Sequence, residues 1–227
     1  MLRLTAQREL ERRKSPGRRE RRRVETRERI FRAGLRLFAA RGFSGTTVED
    51  ITEAADVGKG TFFNYFPSKE HMLAAFGEMQ VGKFRAALAE AREGHRSMQE
   101  VLRRALHALV EEPGRSAALV RSLMAANFSN ETVRRHLQRN LNIGRERLNE
   151  LAKLAQQRGE MPRSIPSTRL ARALQQMFFG GMVLWSLNPD KDLRELQEET
   201  FQVIWSGVGV PRQKAKNHKP SRRWSSR

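Results

Sequence analysis

The sequence predicts an all-α protein: an N-terminal three-helix DNA-binding domain with a helix-turn-helix, then a helical bundle, about nine helices in all. Three observations predict it. Apolar residues recur at helical spacing along most of the chain, and no strand-like alternation persists. Gly42, Pro67, Pro113-Gly114, Gly159 and Asn188-Pro189 punctuate those stretches where helices should stop. Between Thr46 and Lys69, two short helices are joined by a tight turn and a third begins at once.

Residues 1–23 hold ten Lys/Arg against three Glu, and Ser15-Pro16-Gly17 breaks any helix there. They read as a basic, disordered arm. The first firm helix is expected over 24–41, with Ile30, Phe31, Gly34, Leu35 and Phe38 on one face. Gly42 is placed to end it in a left-handed cap, followed by apolar Phe43.

Thr47 is placed to cap the next helix, with Asp50 answering as a short capping-box partner. Val48, Ile51 and Ala55 form its buried stripe, Asp56 suits a left-handed turn, and Val57 plugs that turn. GKGTFFNYF then forms a second short helix, closed by Pro67. Gly58 caps it, and Gly60 leaves its first turn without bulk. Backbone N–H groups and the helix dipole can then approach a phosphate. Lys59 adds a cation and Thr61 a hydroxyl. Phe62 and Phe66 point inward, leaving Phe63, Asn64 and Tyr65 to face outward at least in part. Asparagine reads adenine, tyrosine bonds phosphate and an apolar ring touches the thymine methyl group.

Ser68 caps a long helix running to about Arg92, in which Gly77 and Gly82 either allow bending or admit another helix. Further helices are expected over 97–112, 115–127, 131–158, 167–187 and 192–207. The domains are therefore 1–23 (arm), 24–70 (DNA-binding, motif about 47–66), 71–210 (body) and 211–227 (basic disordered tail, Trp224 included).

The net charge is +19. Each end carries +7, which leaves a body of only +5. Such ends attract the DNA backbone without reading sequence; the bland alternative is a pair of solubilising tails. The chain has no cysteine, which removes disulfides, cysteine zinc sites and thiol catalysis and suits the cytoplasm. No apolar run is long enough to span a membrane, and no apolar signal segment opens the chain. The five histidines fit no metal-ligand spacing, and no cofactor fingerprint or nucleophile motif is present. No metal, cofactor or enzymatic activity is expected. A nucleoid-type protein binding DNA through its tails is the rival reading.

The pattern T-T-V-x-x-I-x-x-A-A-x-V-x-K-G-T-F-x-x-Y-F-x-S-K-E resembles the N-terminal domain of TetR-family transcriptional regulators over roughly residues 24 to 75. Asp56, Gly58 and Phe63 depart from its commonest form, where Gly, Ser and Tyr are frequent; the last removes a hydroxyl that bears on one phosphate contact. The resemblance implies a homodimer that binds a palindromic operator on double-stranded DNA, acts as a repressor and is released by a small apolar or amphipathic effector. It implies DNA contacts from Thr47, Lys59, Gly60, Thr61, Phe63, Asn64, Tyr65 and Lys69, with Lys69 as a backbone contact. It also implies a ligand-binding and dimerisation role for the body. The richest apolar material there suggests a pocket at Leu123, Met124, Phe128, Met177, Phe178, Met182 and Trp185, against the alternative of ordinary core. Gly180 and Gly181, with Leu196 and Val203 from the last helix, suggest the dimer seam.

Overall fold

The computed structural model describes residues 17–208, so the expected tail and the arm before residue 17 lie outside the described residues. Among those described are nine α-helices and no strand: α1 (Arg18–Arg41), α2 (Val48–Ala54), α3 (Lys59–Phe63), α4 (Lys69–Glu93), α5 (Met98–Val110), α6 (Ala117–Ser129), α7 (Glu131–Gln157), α8 (Ser167–Leu187) and α9 (Leu193–Val208). A 3₁₀ turn at Pro113–Arg115 connects α5 to α6.

The body helices fall within two or three residues of their expected limits, because the Pro, Gly and Asn stops act locally. The first helix does not. It starts at Arg18, so residues 18–23, expected in the arm, are helical. Past Pro16-Gly17 nothing interrupts the run, Arg and Glu are good helix formers, and Glu20 complements the helix N-terminus.

The head closes on Ile30, Phe38, Ile51, Phe62 and Phe66, all at most 1% exposed. Gly42 ends α1 with φ 78° and ψ 161°, a positive but extended conformation rather than the expected left-handed cap. Its N–H still bonds the Phe38 carbonyl at 3.1 Å. The turn folds Phe43 back onto Phe38, with ring centroids 5.2 Å apart. Asp56 does take the left-handed turn, at φ 50°.

Helix α4, about 37 Å long at 1.5 Å per residue, runs from head to body. It packs against α5 and α7, and α7 packs on α8. The body core joins Val101, Leu102, Leu151, Ala155, Ala171 and Phe201. Glu160 accepts from the Met98 N–H at 2.7 Å, so a buried carboxylate beyond α7 meets the positive start of α5. Helix α6 lies against α1 on one side and α8 on the other. Its Leu119, Leu123 and Ala126, with Val133 of α7, belong to the same buried cluster as the head.

Candidate DNA-reading surface and effector cavity

The turn and caps fix where α3 stands. Thr47 and Asp50 form a reciprocal box: the Asp50 N–H donates to Thr47 Oγ1 at 3.1 Å, and the Thr47 N–H and hydroxyl both donate to Asp50 Oδ2 at 2.7 Å. Those bonds hold the Asp50 carboxyl below its usual range, the Thr47 backbone N–H first and its hydroxyl second. Both donors of Thr47 are thus committed within the chain, although the residue is exposed. Lys59, first in α3, pairs with Glu49 of α2, and its hydrogen bond is the largest cause of the lowered Glu49 pKa. Both side chains are about 60% exposed, so the pair adds little stability and can open.

Gly58 caps α3, and Gly60 lies in its first turn; a Cβ added at either meets nothing within 4 Å. Nothing among the described residues requires glycine at these positions, and the bare surface leaves room for another backbone to approach. Phe62 is buried, while Phe63 is 53% exposed and edge-on to it. The α-helix ends at Phe63, shorter than expected, and Asn64 follows as an exposed C-cap. Thr61 and Tyr65 are half-buried, and Tyr65 packs against the head core.

Lys69 departs most from expectation. Its Nζ donates to the carbonyls of Phe43 and Thr46, both at 2.9 Å, and lies 4.5 Å from the Phe43 ring centroid. The ammonium is turned inward, under the α1–α2 loop, where three acceptors compete with any phosphate.

The body encloses a cavity of about 1240 Å³ of atom-free space, its opening to solvent included. Leu123, Met124, Phe178 and Met182, among the pocket candidates of the sequence, line it. Three expected residues do not. Phe128 is 84% exposed, near the end of α6. Met177 packs on the body core. Trp185 is buried in the cluster with Val110 and Leu193, and its indole N–H reaches the Lys191 carbonyl at 2.8 Å. The sequence reading missed the wall supplied by α4 and α7: Phe76, Gln80, Phe84, His136 and Asn140. One signal was available in Gly77, where an added Cβ would sit 2.1 Å from Asn140 Nδ2. Of the two options for that glycine, the structure shows close helix approach.

Gly181 is also occupied internally. A Cβ there would meet Gln197 Nε2 at 2.7 Å, so this glycine makes room for the Gln197 side chain of α9 in the same chain. Leu196 is half-buried against the α6–α8–α9 cluster. On α8 and α9 the exposed large apolar groups among the described residues are Leu184 at 68%, Leu187 at 69% and Val203 at 72%, with Gly180 open beside them. No group of His, Asp and Glu able to hold a metal occurs among the described residues, and none of their helices is long and apolar enough to cross a membrane.

Residues 30–76 match the family model described as bacterial regulatory proteins, tetR family. The chain is 37% identical over 129 residues to the HTH-type transcriptional regulator TcmR of Streptomyces glaucescens, covering 47% of this chain and 57% of that one. It is 33% identical over 107 residues to the HTH-type transcriptional repressor KstR of Rhodococcus jostii, covering 46% and 50%. The chain thus spans about half the length of these curated relatives. Among solved structures, Thermus thermophilus FadR, a TetR-family transcriptional repressor in complex with lauroyl-CoA, is 29% identical with a TM-score of 0.58, covering 83% of this chain and 97% of that one. FadR of Bacillus halodurans, at 19% identity and TM-score 0.67, covers 86% and 98% and shares the fold.

Proposed function

The chain belongs to the TetR family of transcriptional regulators, and on that premise we propose that it is a homodimeric repressor of cytoplasmic DNA, binding a palindromic operator and released by a small molecule held in the body. The observation that carries this reading is shared packing. Leu73, Leu123 and Val133 belong to the head's buried cluster and also line the cavity. An occupant pressing on those residues presses on the support of α3. Close-packed interiors pass such displacements on rather than absorb them.

The reading end has matching chemistry. The start of α3 carries no bulk at Gly58 and Gly60, and its outer surface offers Phe63 and Asn64. Two such helices must sit about 34–36 Å apart to enter successive major grooves. The effector then works through its different affinity for protomers held at that spacing and away from it. The lauroyl-CoA of the Thermus FadR complex supports a ligand-bearing body in this family and leaves the effector of this chain to its own cavity.

The test is a selection from randomised duplex in the presence of excess random competitor at physiological salt. A recovered inverted repeat, bound by two protomers, supports the proposal. Equal binding to all duplexes would instead favour a nucleoid-type role driven by the basic ends.

A further inference from the structure

The cavity wall is apolar except for His136 and a few amides, and two of the amides hold unsatisfied oxygens. Gln80 donates through Nε2 to the Leu109 carbonyl at 2.8 Å, and Asn127 through Nδ2 to the Leu123 carbonyl at 2.7 Å. Those bonds fix which amide atom is which, since a carbonyl accepts only from nitrogen. The remaining atoms, Gln80 Oε1 and Asn127 Oδ1, are buried and accept from no group of the described chain. Buried acceptors without donors are uncommon in folded proteins and call for a physical reason. Both residues line the cavity, beside the rings of Phe76, Phe84 and Phe178. Among the described residues no Lys, Arg, Asp or Glu lines it, and His136 is the one ionisable residue that does, with its ring 5.5 Å from that of His71.

We propose that the effector is an uncharged, largely apolar and ring-containing molecule bearing hydroxyl or N–H donors, which bond Gln80 Oε1 and Asn127 Oδ1. This rests on the effector-cavity reading above and deepens it. The apolar wall selects the body of the ligand, and the two oxygens select its donors. An anionic ligand meets no Lys or Arg among the described residues of the wall and loses its hydration on entry.

Four probes test it by calorimetry on the full chain near neutral pH: 2-naphthol, its methyl ether, 2-naphthoate and lauroyl-CoA. The ether keeps the ring and oxygen and loses only the donor. We expect naphthol to bind roughly tenfold tighter than the ether. Naphthoate should be weaker still, and lauroyl-CoA should not compete. In the Gln80→Met/Asn127→Leu variant the naphthol preference should vanish while the ether binds as before. A merely structural role for the amides would weaken both probes alike and would overturn the assignment. Equal binding of naphthol and ether to the parent protein, or tighter binding of either anionic probe, overturns the donor inference and leaves the effector cavity standing. If no probe binds, the cavity reading falls and takes this inference with it.

Discussion

Lys69 holds its ammonium 4.5 Å from the centroid of the Phe43 ring and donates to the Phe43 carbonyl at 2.9 Å. With a second bond to the Thr46 carbonyl, it ties the start of α4 to the loop between α1 and α2. That loop sets the entry of α2, and α2 with its turn sets α3. A residue that resembles a phosphate contact in sequence is, in this structure, a strut of the head.

Lys69→Met should therefore reduce stability by about 1–3 kcal/mol, since hydrogen bonds from a charged donor are the stronger kind. Urea unfolding measures it. The salt dependence of DNA binding, read on protein kept well below its midpoint, should stay unchanged. A salt slope smaller by about one phosphate with unaltered stability would restore the backbone-contact role.

At Gly60 the folding and DNA effects of a mutation should separate. A Cβ there meets nothing within 4 Å among the described residues, and replacing a helical glycine stabilises by up to about 1 kcal/mol. Gly60→Leu should fold at least as well as the parent and lose operator affinity by tenfold or more. Preserved affinity, measured by fluorescence anisotropy, would place the DNA backbone elsewhere.

Asn64 is exposed immediately after α3, where it can reach a base edge. Asn64→Ala should relax preference at one position of each half-site by about 1–3 kcal/mol. A randomised-site selection that returns the parental profile would remove Asn64 from base reading.

The head was more legible in sequence than the cavity, for a physical reason. Caps and turns are local, so Thr47, Asp50 and Asp56 announce themselves through neighbours three or four residues away. Lys69 escaped that logic because its acceptors lie 23 and 26 residues back. The cavity depends on which face of α4 meets α7, which no single helix specifies. Trp185 looked like pocket material by composition, yet its buried indole N–H needs an acceptor and finds it in the Lys191 carbonyl, and the residue does not line the wall. Phe128 was equally apolar and ended outside.

Acid should act on the head through Asp50. Its carboxyl is held below the usual range by donors from Thr47, so the folded state favours the ionised form. A lowered folded pKa means that this contribution is complete above the ordinary aspartate range and is lost as pH falls through the lower folded value. The stability gap between the parent and Asp50→Ala should accordingly be constant near neutral pH and shrink in acid. Denaturant titrations at a series of acidic pH values read that gap, and one that does not narrow would assign the effect to shape rather than charge.

If the proposed dimer forms, its seam lies where apolar groups face out. A single head covers too few base pairs for selectivity, so the proposed operator reading needs two held at a fixed spacing. A two-fold, self-complementary patch is the simplest way to hold them. Gly181 does not test this, because its missing side chain makes room for Gln197 within the same chain; Gly181→Arg would damage the protomer itself. Gly180, Leu184 and Leu187 on α8 recur at helical spacing, and exposed Val203 on α9 adds to them. Burying such side chains is worth about 1.5–3 kcal/mol each relative to exposure, enough to matter to an association and needless for the fold. Leu184→Arg and Val203→Arg should therefore leave the unfolding midpoint of the isolated protomer intact and shift sedimentation to the monomer. The monomer should retain weak, salt-sensitive DNA binding and lose operator preference. Dimers that survive both substitutions together would move the seam away from this face of α8 and α9.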